Sequence, residues 1–237
     1  MSEALAPYFK SSKPEADEKR ELARRMLQLF FVRQDVYGIE TPEGWITEKK
    51  PVTIDLIIEH LNGGPCLGAH TINADNKCRW IGLDFDENAK IVVNKAYTKY
   101  PKSATLFNET GGRGYHVRIF FNRSISASEA HRLAKELAEG VQGVEFYPKQ
   151  QAIGIEGFGN FMRLPLGRHR KTGGTGALIF PSSLSEIKPC EPPVPLAFAE
   201  SAEDCPDRVQ DQKGYWNCVA IDGTVGYCMA QLCPKVT

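Results

Sequence analysis

Two aspartates, Asp84 and Asp86, close the run RWIGLDFDEN with only Phe85 between them. In an extended strand alternate side chains share a face, so the two carboxylates lie about 6–7 Å apart while Phe85 turns to the other side. Carboxylates that close repel each other unless a cation lies between them, and hard oxygen donors favour Mg²⁺ or Mn²⁺. Two such ions about 3.5–4 Å apart activate an attacking hydroxyl and stabilise a leaving phosphate. Taken alone, the pattern is more often a solvated acidic turn.

Further residues could share this chemistry. The turn Thr110-Gly111-Gly112-Arg113-Gly114 offers unobstructed backbone N–H groups and a cation, which suits an anion nest and equally an ordinary hairpin. His116 follows in TGGRGYHVRIFF, on the strand face opposite Tyr115 and Val117 and with Arg118 beside it. There it could donate to a phosphate oxygen, or sit as a satisfied, half-buried histidine. Glu145, between Val144 and Phe146, faces away from both and is a candidate third carboxylate. After Lys149 and Gln150, FMRLPLGRHRKTGG supplies Arg163, Arg168, His169, Arg170 and Lys171 with no acid between Asn160 and Thr172. A cationic run interleaved with glycine suits a triphosphate or a nucleic-acid backbone; the bland alternative is a solvated basic loop.

Such residues need a scaffold, and the periodicities supply one. Leu22, Met26, Leu29 and Phe30 recur at helical spacing over 15–34, a helix stopped by Gly38 and the turn Thr41-Pro42-Glu43-Gly44. A second helix runs from the N-cap Thr53 through Ile54, Ile57, Ile58 and Leu61 to Gly63-Gly64-Pro65. Short strands are expected at 66–69, 79–86, 104–109 and 115–121, the last with alternating Tyr115, Val117, Ile119 and Phe121. A helix opens at Ser126, with Glu129 completing a capping box, and ends near Gly140; a strand at 144–147 follows. This order predicts an α+β fold with helices packed on an antiparallel sheet.

The 237 residues carry 29 basic and 29 acidic side chains, so a nucleic-acid partner has to be held by a local patch and not by bulk charge. Seven cysteines, an odd number, suit a reducing compartment. With no signal-peptide core and no membrane-length apolar run, a cytoplasmic location away from membranes is expected.

Taken in order, Asp84-Phe85-Asp86 on its apolar strand, TGGRGYHVRIFF from Thr110, VEFYPKQ from Val144 and GNFMRLPLGRHRKTG from Gly159 resemble the catalytic motifs of the archaeo-eukaryotic primase superfamily. The nearest resemblance is to primase-polymerases of mobile elements, conflict systems and CRISPR loci. LFFVRQDVYGIE and the segment around Trp45 resemble their N-terminal part, so the likeness spans 29–180. It implies two packed α/β lobes, one with an RRM-like antiparallel sheet, and a two-metal nucleotidyl transfer. By the same resemblance Asp84, Asp86 and Glu145 are the catalytic ligands of two Mg²⁺ or Mn²⁺ ions. His116 would hold the phosphates of an incoming NTP or dNTP, with Thr110, Gly111, Gly112, Arg113, Lys149, Arg163 and His169 as further nucleotide contacts. Arg168, Arg170 and Lys171 would meet a single-stranded DNA template. Thr110 stands where serine is usual and keeps the hydroxyl, and Glu145 in place of aspartate is within the family's range.

The implied activity is that of a DNA primase-polymerase, which synthesises and extends primers, with a helicase or CRISPR and mobile-element proteins as partners. The alternative is a non-catalytic module that binds single-stranded nucleic acid. A replication-initiator nuclease would need a His-x-His pair, which the sequence lacks.

The catalytic domain is expected over 1–188, its helical part at 1–65 and its motifs at 79–171. PCEPPVP, from Pro189, opens a linker over 189–200. A tail over 201–237 carries Cys205, Cys218, Cys228 and Cys233, part of an accessory module. Their C-x12-C-x9-C-x4-C spacing lacks the tight pairs of a zinc ribbon, so thiols are favoured over Zn²⁺ ligands. Cys66 and Cys78 read as core thiols, and His70 between them is not expected to ligate a metal.

Overall fold

Two antiparallel sheets and four helices build the larger part of the molecule, as a computed structural model describes it for residues 15–193, together with the backbone of three short strands further on. In chain order the elements are α1 (Glu15–Phe30), β1 (Tyr37–Thr41), β2 (Gly44–Glu48), α2 (Ile54–Leu61), β3 (Leu67–His70), β4 (Lys77–Phe85) and α3 (Ala89–Lys99). There follow β5 (Thr105–Glu109), β6 (Tyr115–Ser126), α4 (Ala127–Ala138), β7 (Val144–Tyr147), β8 (Phe161–Arg163) and β9 (Leu178–Phe180). The α+β class expected from the sequence is the one found.

A five-stranded sheet of order β7-β4-β6-β5-β9 forms one lobe, and a four-stranded sheet of order β2-β1-β3-β8 the other. Two cores hold them. On one face of the larger sheet, Leu83, Phe85, Val117, Ile119 and Phe121 pack against Val92 and Ala96 of α3 and Ala130, Leu133 and Leu137 of α4. On the other, Trp80, Leu106 and Phe120 meet Met26 and Phe30 of α1, Leu67 of β3 and Met162 of β8. Trp80 is fully buried and its indole N–H donates to the Phe30 carbonyl at 2.8 Å, so its polar atom is satisfied. Each large side chain enclosed this way stabilises by about 1.5–3 kcal/mol.

Local chemistry explains most element boundaries. Thr53 caps α2 by accepting from the Leu56 N–H at 3.1 Å. Ser126 likewise accepts from Glu129 N–H at 3.2 Å, but the Glu129 carboxylate is taken by Arg132 at 2.7 Å, so only half of the expected capping box forms. The first helix ends at Phe30, short of the expected Gln34.

Gly38 and the 41–44 turn, expected as breakers, instead belong to a β1–β2 hairpin. An alanine Cβ at Gly38 would lie 2.6 Å from the Phe161 ring, so β1 needs glycine to let β8's aromatic lie across it. Helix α3 has no counterpart in the sequence reading. β6 runs on to Ser126, past the expected Phe121, because Ile125 and Ser126 pair with Cys78 and Lys77 of β4, and over 116–121 both of its faces are covered, His116 and Arg118 included.

The chain divides into two compact units, Met1–Pro192 and Pro193–Thr237. In the second, β10 (Arg208–Gln210), β11 (Trp216–Val219) and β12 (Val225–Tyr227) pair antiparallel in that order. Cys205, Cys228 and Cys233 lie outside the described residues, as does the side chain of Cys218. Cys66 and Cys78 are buried free thiols, pushed up to about 11 and about 12 by burial, which makes them inert core residues. Among the described residues no helix is long and apolar enough to cross a membrane.

Candidate active site

Register brings the sequence motifs together. Asp84 of β4 is paired directly with Glu145 of β7 on one side and with His116 of β6 on the other, and His116 is paired in turn with Asn108 of β5. These four residues form one row across the sheet, with neighbouring Cβ atoms about 4.5–5.5 Å apart. Two positions along, Tyr147, Gly82 and Arg118 form the next row on the same face.

Arg118 is fully buried, and its guanidinium organises this face. It donates to Asn108 Oδ1 at 3.0 Å, to the Arg163 carbonyl, and to His116 Nδ1 at 3.4 Å, while lying over the rings of Phe30 and Trp80. A guanidinium has no acceptor, so His116 Nδ1 must accept, which leaves the imidazole proton on Nε2. That Nε2 stands 3.5 Å from Asp84 Oδ1. Burial, aided by the cations of Arg118 and Arg163, outweighs Asp84 and lowers the His116 pKa to about 4, so the ring is neutral at pH 7. For Asp84 burial opposes ionisation, but the hydrogen bond from His116, with Arg118 and Arg163 behind it, still holds the carboxyl below its usual range.

The two glycine loops clasp each other over this row. Within the first, Thr110 Oγ1 donates to the Gly114 carbonyl at 2.9 Å and accepts from Gly112 N–H at 3.3 Å, so the threonine hydroxyl holds the turn closed. Thr172 Oγ1 of the second loop donates to the Gly111 carbonyl at 2.6 Å, and a Cβ at Gly174 would fall 2.4 Å from that same oxygen. His169 sits between the loops. Its Nδ1 accepts from Thr172 N–H at 3.3 Å, so this ring too carries its proton on Nε2, against Gly112. Burial and the Arg163 cation lower its pKa as well.

A cavity of about 700 Å³ opens at this place. Of the residues singled out from the sequence, Asp84, Asp86, Thr110, Gly112, Arg113, His116, Arg163, His169 and Lys171 line it, and Gly111 supports it from behind. Arg168 and Arg170 do not line it; they border a separate hollow of about 260 Å³ with Glu40, Gly63, Gly64 and Cys66.

Glu145 stands beside the cavity, not in its lining. Its carboxylate accepts from Lys149 Nζ at 2.6 Å and from the Tyr147 hydroxyl at 3.2 Å. Lys149 is thereby turned toward Glu145. Among the described residues, no three His, Cys, Asp or Glu side chains are gathered as a metal-holding group. Asp84 and Asp86 nevertheless suit a divalent cation. Both face the cavity with oxygen donors, and Gly114, where a Cβ would lie 2.7 Å from Asp86 Oδ1, leaves the second carboxylate room to lean in.

Sequence reasoning gave no site role to Trp45, Tyr147, Phe161 or Thr172, all of which line the cavity. Alternation could have found Tyr147, two residues after Glu145 on one strand, and Phe161, two before Arg163. Nothing local marks Trp45, which arrives on a hairpin of the other sheet.

The family model described as "TOTE conflict system, Archaeo-Eukaryotic Primase domain" matches residues 39–188, more than half of the chain. The chain belongs to this archaeo-eukaryotic primase family, a family of nucleotidyltransferases. Among solved structures it is similar to the primase domain of the cyanophage S-2L primase-polymerase, with 16% identity, 72% of this chain and 98% of that one covered, and a TM-score of 0.47. It is also similar to the polymerase domain of Mycobacterium tuberculosis ligase D in complex with DNA, with 14% identity, 52% and 59% covered, and a TM-score of 0.31. No curated protein matches it.

Proposed function

We propose that this chain is the catalytic domain of a DNA primase-polymerase, transferring nucleotides from NTP or dNTP to a growing primer on a single-stranded template. The observation that carries the reading is the pairing of Asp84 with His116 across β4 and β6, on the floor of a cavity that Asp86 and the clasped glycine loops share. Acid, neutral histidine donor and anion nest together are what a bound triphosphate requires.

Asp84 and Asp86 would hold Mg²⁺ or Mn²⁺, joined by Glu145 once it leaves Lys149. Ions bound there would supply a lowered hydroxyl pKa and a counter-charge for pyrophosphate. The chain's own residues do the positioning. His169 holds a neutral Nε2–H beside Gly112, a donor for a phosphate oxygen, while the Nε2–H of His116, directed at Asp84, would turn to a phosphate once a cation takes up the Asp84 carboxylate. Arg113, Arg163 and Lys171 bring positive charge to the same space, and backbone N–H groups of the 110–114 turn complete the cradle. An in-line attack by a 3′-hydroxyl on the α-phosphate, with pyrophosphate leaving, is the step such positioning favours.

The test is primer extension with Mn²⁺ or Mg²⁺ on a single-stranded template. Asp84→Asn with Asp86→Asn should abolish it while leaving the melting temperature within a few degrees. Extension by the double variant would sink the proposal. The grip of Lys149 on Glu145 favours a second reading, a non-catalytic module that binds single-stranded nucleic acid. Template binding by the wild type, with no incorporation under either metal, is its signature. A conflict-system, mobile-element or CRISPR setting, and a helicase partner, belong to the same proposal.

A further inference from the structure

One rim of the cavity, away from the acids and the glycine loops, is aromatic. Trp45 lies under the Arg163 guanidinium at 5.4 Å and packs against Phe161 at 5.3 Å between centroids. Phe161 touches His70 at 5.3 Å, and His70 touches Phe158 at 6.1 Å. Phe158 is then flanked by two cations, Arg33 at 5.0 Å and the exposed Lys49 at 5.1 Å. The ladder starts inside the cavity and ends outside it.

Beyond Phe158 the chain makes a hydrogen-bonded turn, Gly157 N–H to the Gly154 carbonyl at 2.9 Å. It is anchored by Asn76, whose side chain bonds both the N–H and the carbonyl of Ile153, and by Arg33, which donates to the Gly157 carbonyl at 3.3 Å. This fixed turn holds Ile155 wholly in solvent, at 106% exposure. A lone exposed isoleucine is ordinary. One held on a pinned turn at the end of a cation-flanked aromatic ladder is not.

Charge is not what distinguishes this rim. Arg33 is paired with Asp35 at 2.7 Å, Lys50 with Glu48 at 3.0 Å, Arg163 faces Glu40 at 3.7 Å and belongs to the cavity, and Glu156 stands in the turn itself, so outside the cavity Lys49 is the cation of this rim left to meet a phosphate. The ligand it suits therefore offers flat apolar faces first and negative charge second. Unpaired nucleobases on a sugar-phosphate strand have this character.

Resting on the nucleotidyl-transfer reading of the adjoining cavity, we infer that Trp45, Phe161, Phe158 and Ile155 form a stacking track for single-stranded nucleic acid entering the site, with Lys49 on its phosphates. This track is distinct from the Arg168 and Arg170 hollow, which offers charge and no aromatic ring.

The experiment is fluorescence anisotropy on the full chain, in EDTA and without nucleotide, using labelled oligothymidylate and an abasic strand of equal length across a salt series. The abasic strand should bind at least about ten-fold more weakly, and Phe158→Ala should weaken oligothymidylate binding by about ten-fold with its salt slope unchanged. Ile155→Ser, which cannot disturb packing at full exposure, should weaken it a few-fold. Lys49→Gln should flatten the salt slope by about 0.7. Equal affinity for the two strands would overturn the inference, as would wild-type binding by both Phe158→Ala and Ile155→Ser; the latter is also what a protein-docking rim would give. Because neither metal nor nucleotide is present, this result is independent of whether Asp84 and Asp86 support incorporation.

Discussion

A single methyl group at position 114 should displace the Asp86 carboxylate, which the proposed function places on a metal ion, without touching either core. An alanine Cβ there would lie 2.7 Å from Asp86 Oδ1, but 3.4 Å from the Phe85 carbonyl and 3.6 Å from Thr110 Oγ1. Ordinary contact begins at 3.4 Å, so the carboxylate must retreat by about 0.7 Å while the other two neighbours stay put. Gly114 does not use the left-handed region, so alanine adopts its backbone freely. Asp86 is exposed and can rotate, which keeps the stability cost within about 1 kcal/mol. Misplacing a reacting group by about 1 Å costs up to about 100-fold in rate, so Gly114→Ala should lower turnover by roughly 10- to 100-fold and weaken Mn²⁺ binding. Primer extension, Mn²⁺ titration and thermal melting read the three quantities. In an Asp86→Asn background the methyl should cost nothing further, which separates a carboxylate effect from a general one. Wild-type turnover with wild-type Mn²⁺ affinity would show that Asp86 does not act from this position.

Acid should unfold the protein earlier than its carboxylates alone require. His116 has its folded pKa near 4 against an ordinary 6.5, so the unfolded chain binds the extra proton between those values. Stability is then complete above about pH 6.5 and falls as pH drops toward 4, by up to about 3 kcal/mol from this residue. Lowered values at His60, His70 and His169 act in the same direction, and Asp84 extends the loss below its usual 3.8. Urea unfolding between pH 7.5 and 4.5 measures this; a flat profile from 6.5 to 5 would contradict it. Lys149→Met should release Glu145 toward the cavity, tightening Mn²⁺ several-fold while changing stability by less than about 1 kcal/mol, as befits a largely exposed pair. Calorimetric Mn²⁺ titration checks it, and unchanged or weaker binding would leave Glu145 outside the metal site.

Much of this protein follows from local pattern. The limits of β7, the caps at Thr53 and Ser126 and the alternation of β6 rest on hydrogen bonds and periodicities within a few residues, which a sequence displays directly. Asp84, Asp86 and His116 were legible for the same reason, since each is positioned by strand alternation next to a turn. Trp45, by contrast, meets Phe161 across a lobe, and the first glycine loop meets the second across about sixty residues. Gly38 illustrates the difficulty: in isolation it reads as a breaker, and only Phe161 lying on it reveals a strand.

The order of motifs pointed to the family, the order of helical and strand periodicities pointed to the α+β class, and most of the residues singled out along the sequence meet at one cavity. Folding decided the states of those residues. Which nitrogen of His116 holds the proton depends on Arg118, buried against Phe30 and Trp80, and whether Glu145 faces the cavity depends on Lys149. Protonation, tautomer and orientation are set by the groups packed around a side chain, and residues distant in sequence become neighbours only when the two sheets close on a shared core.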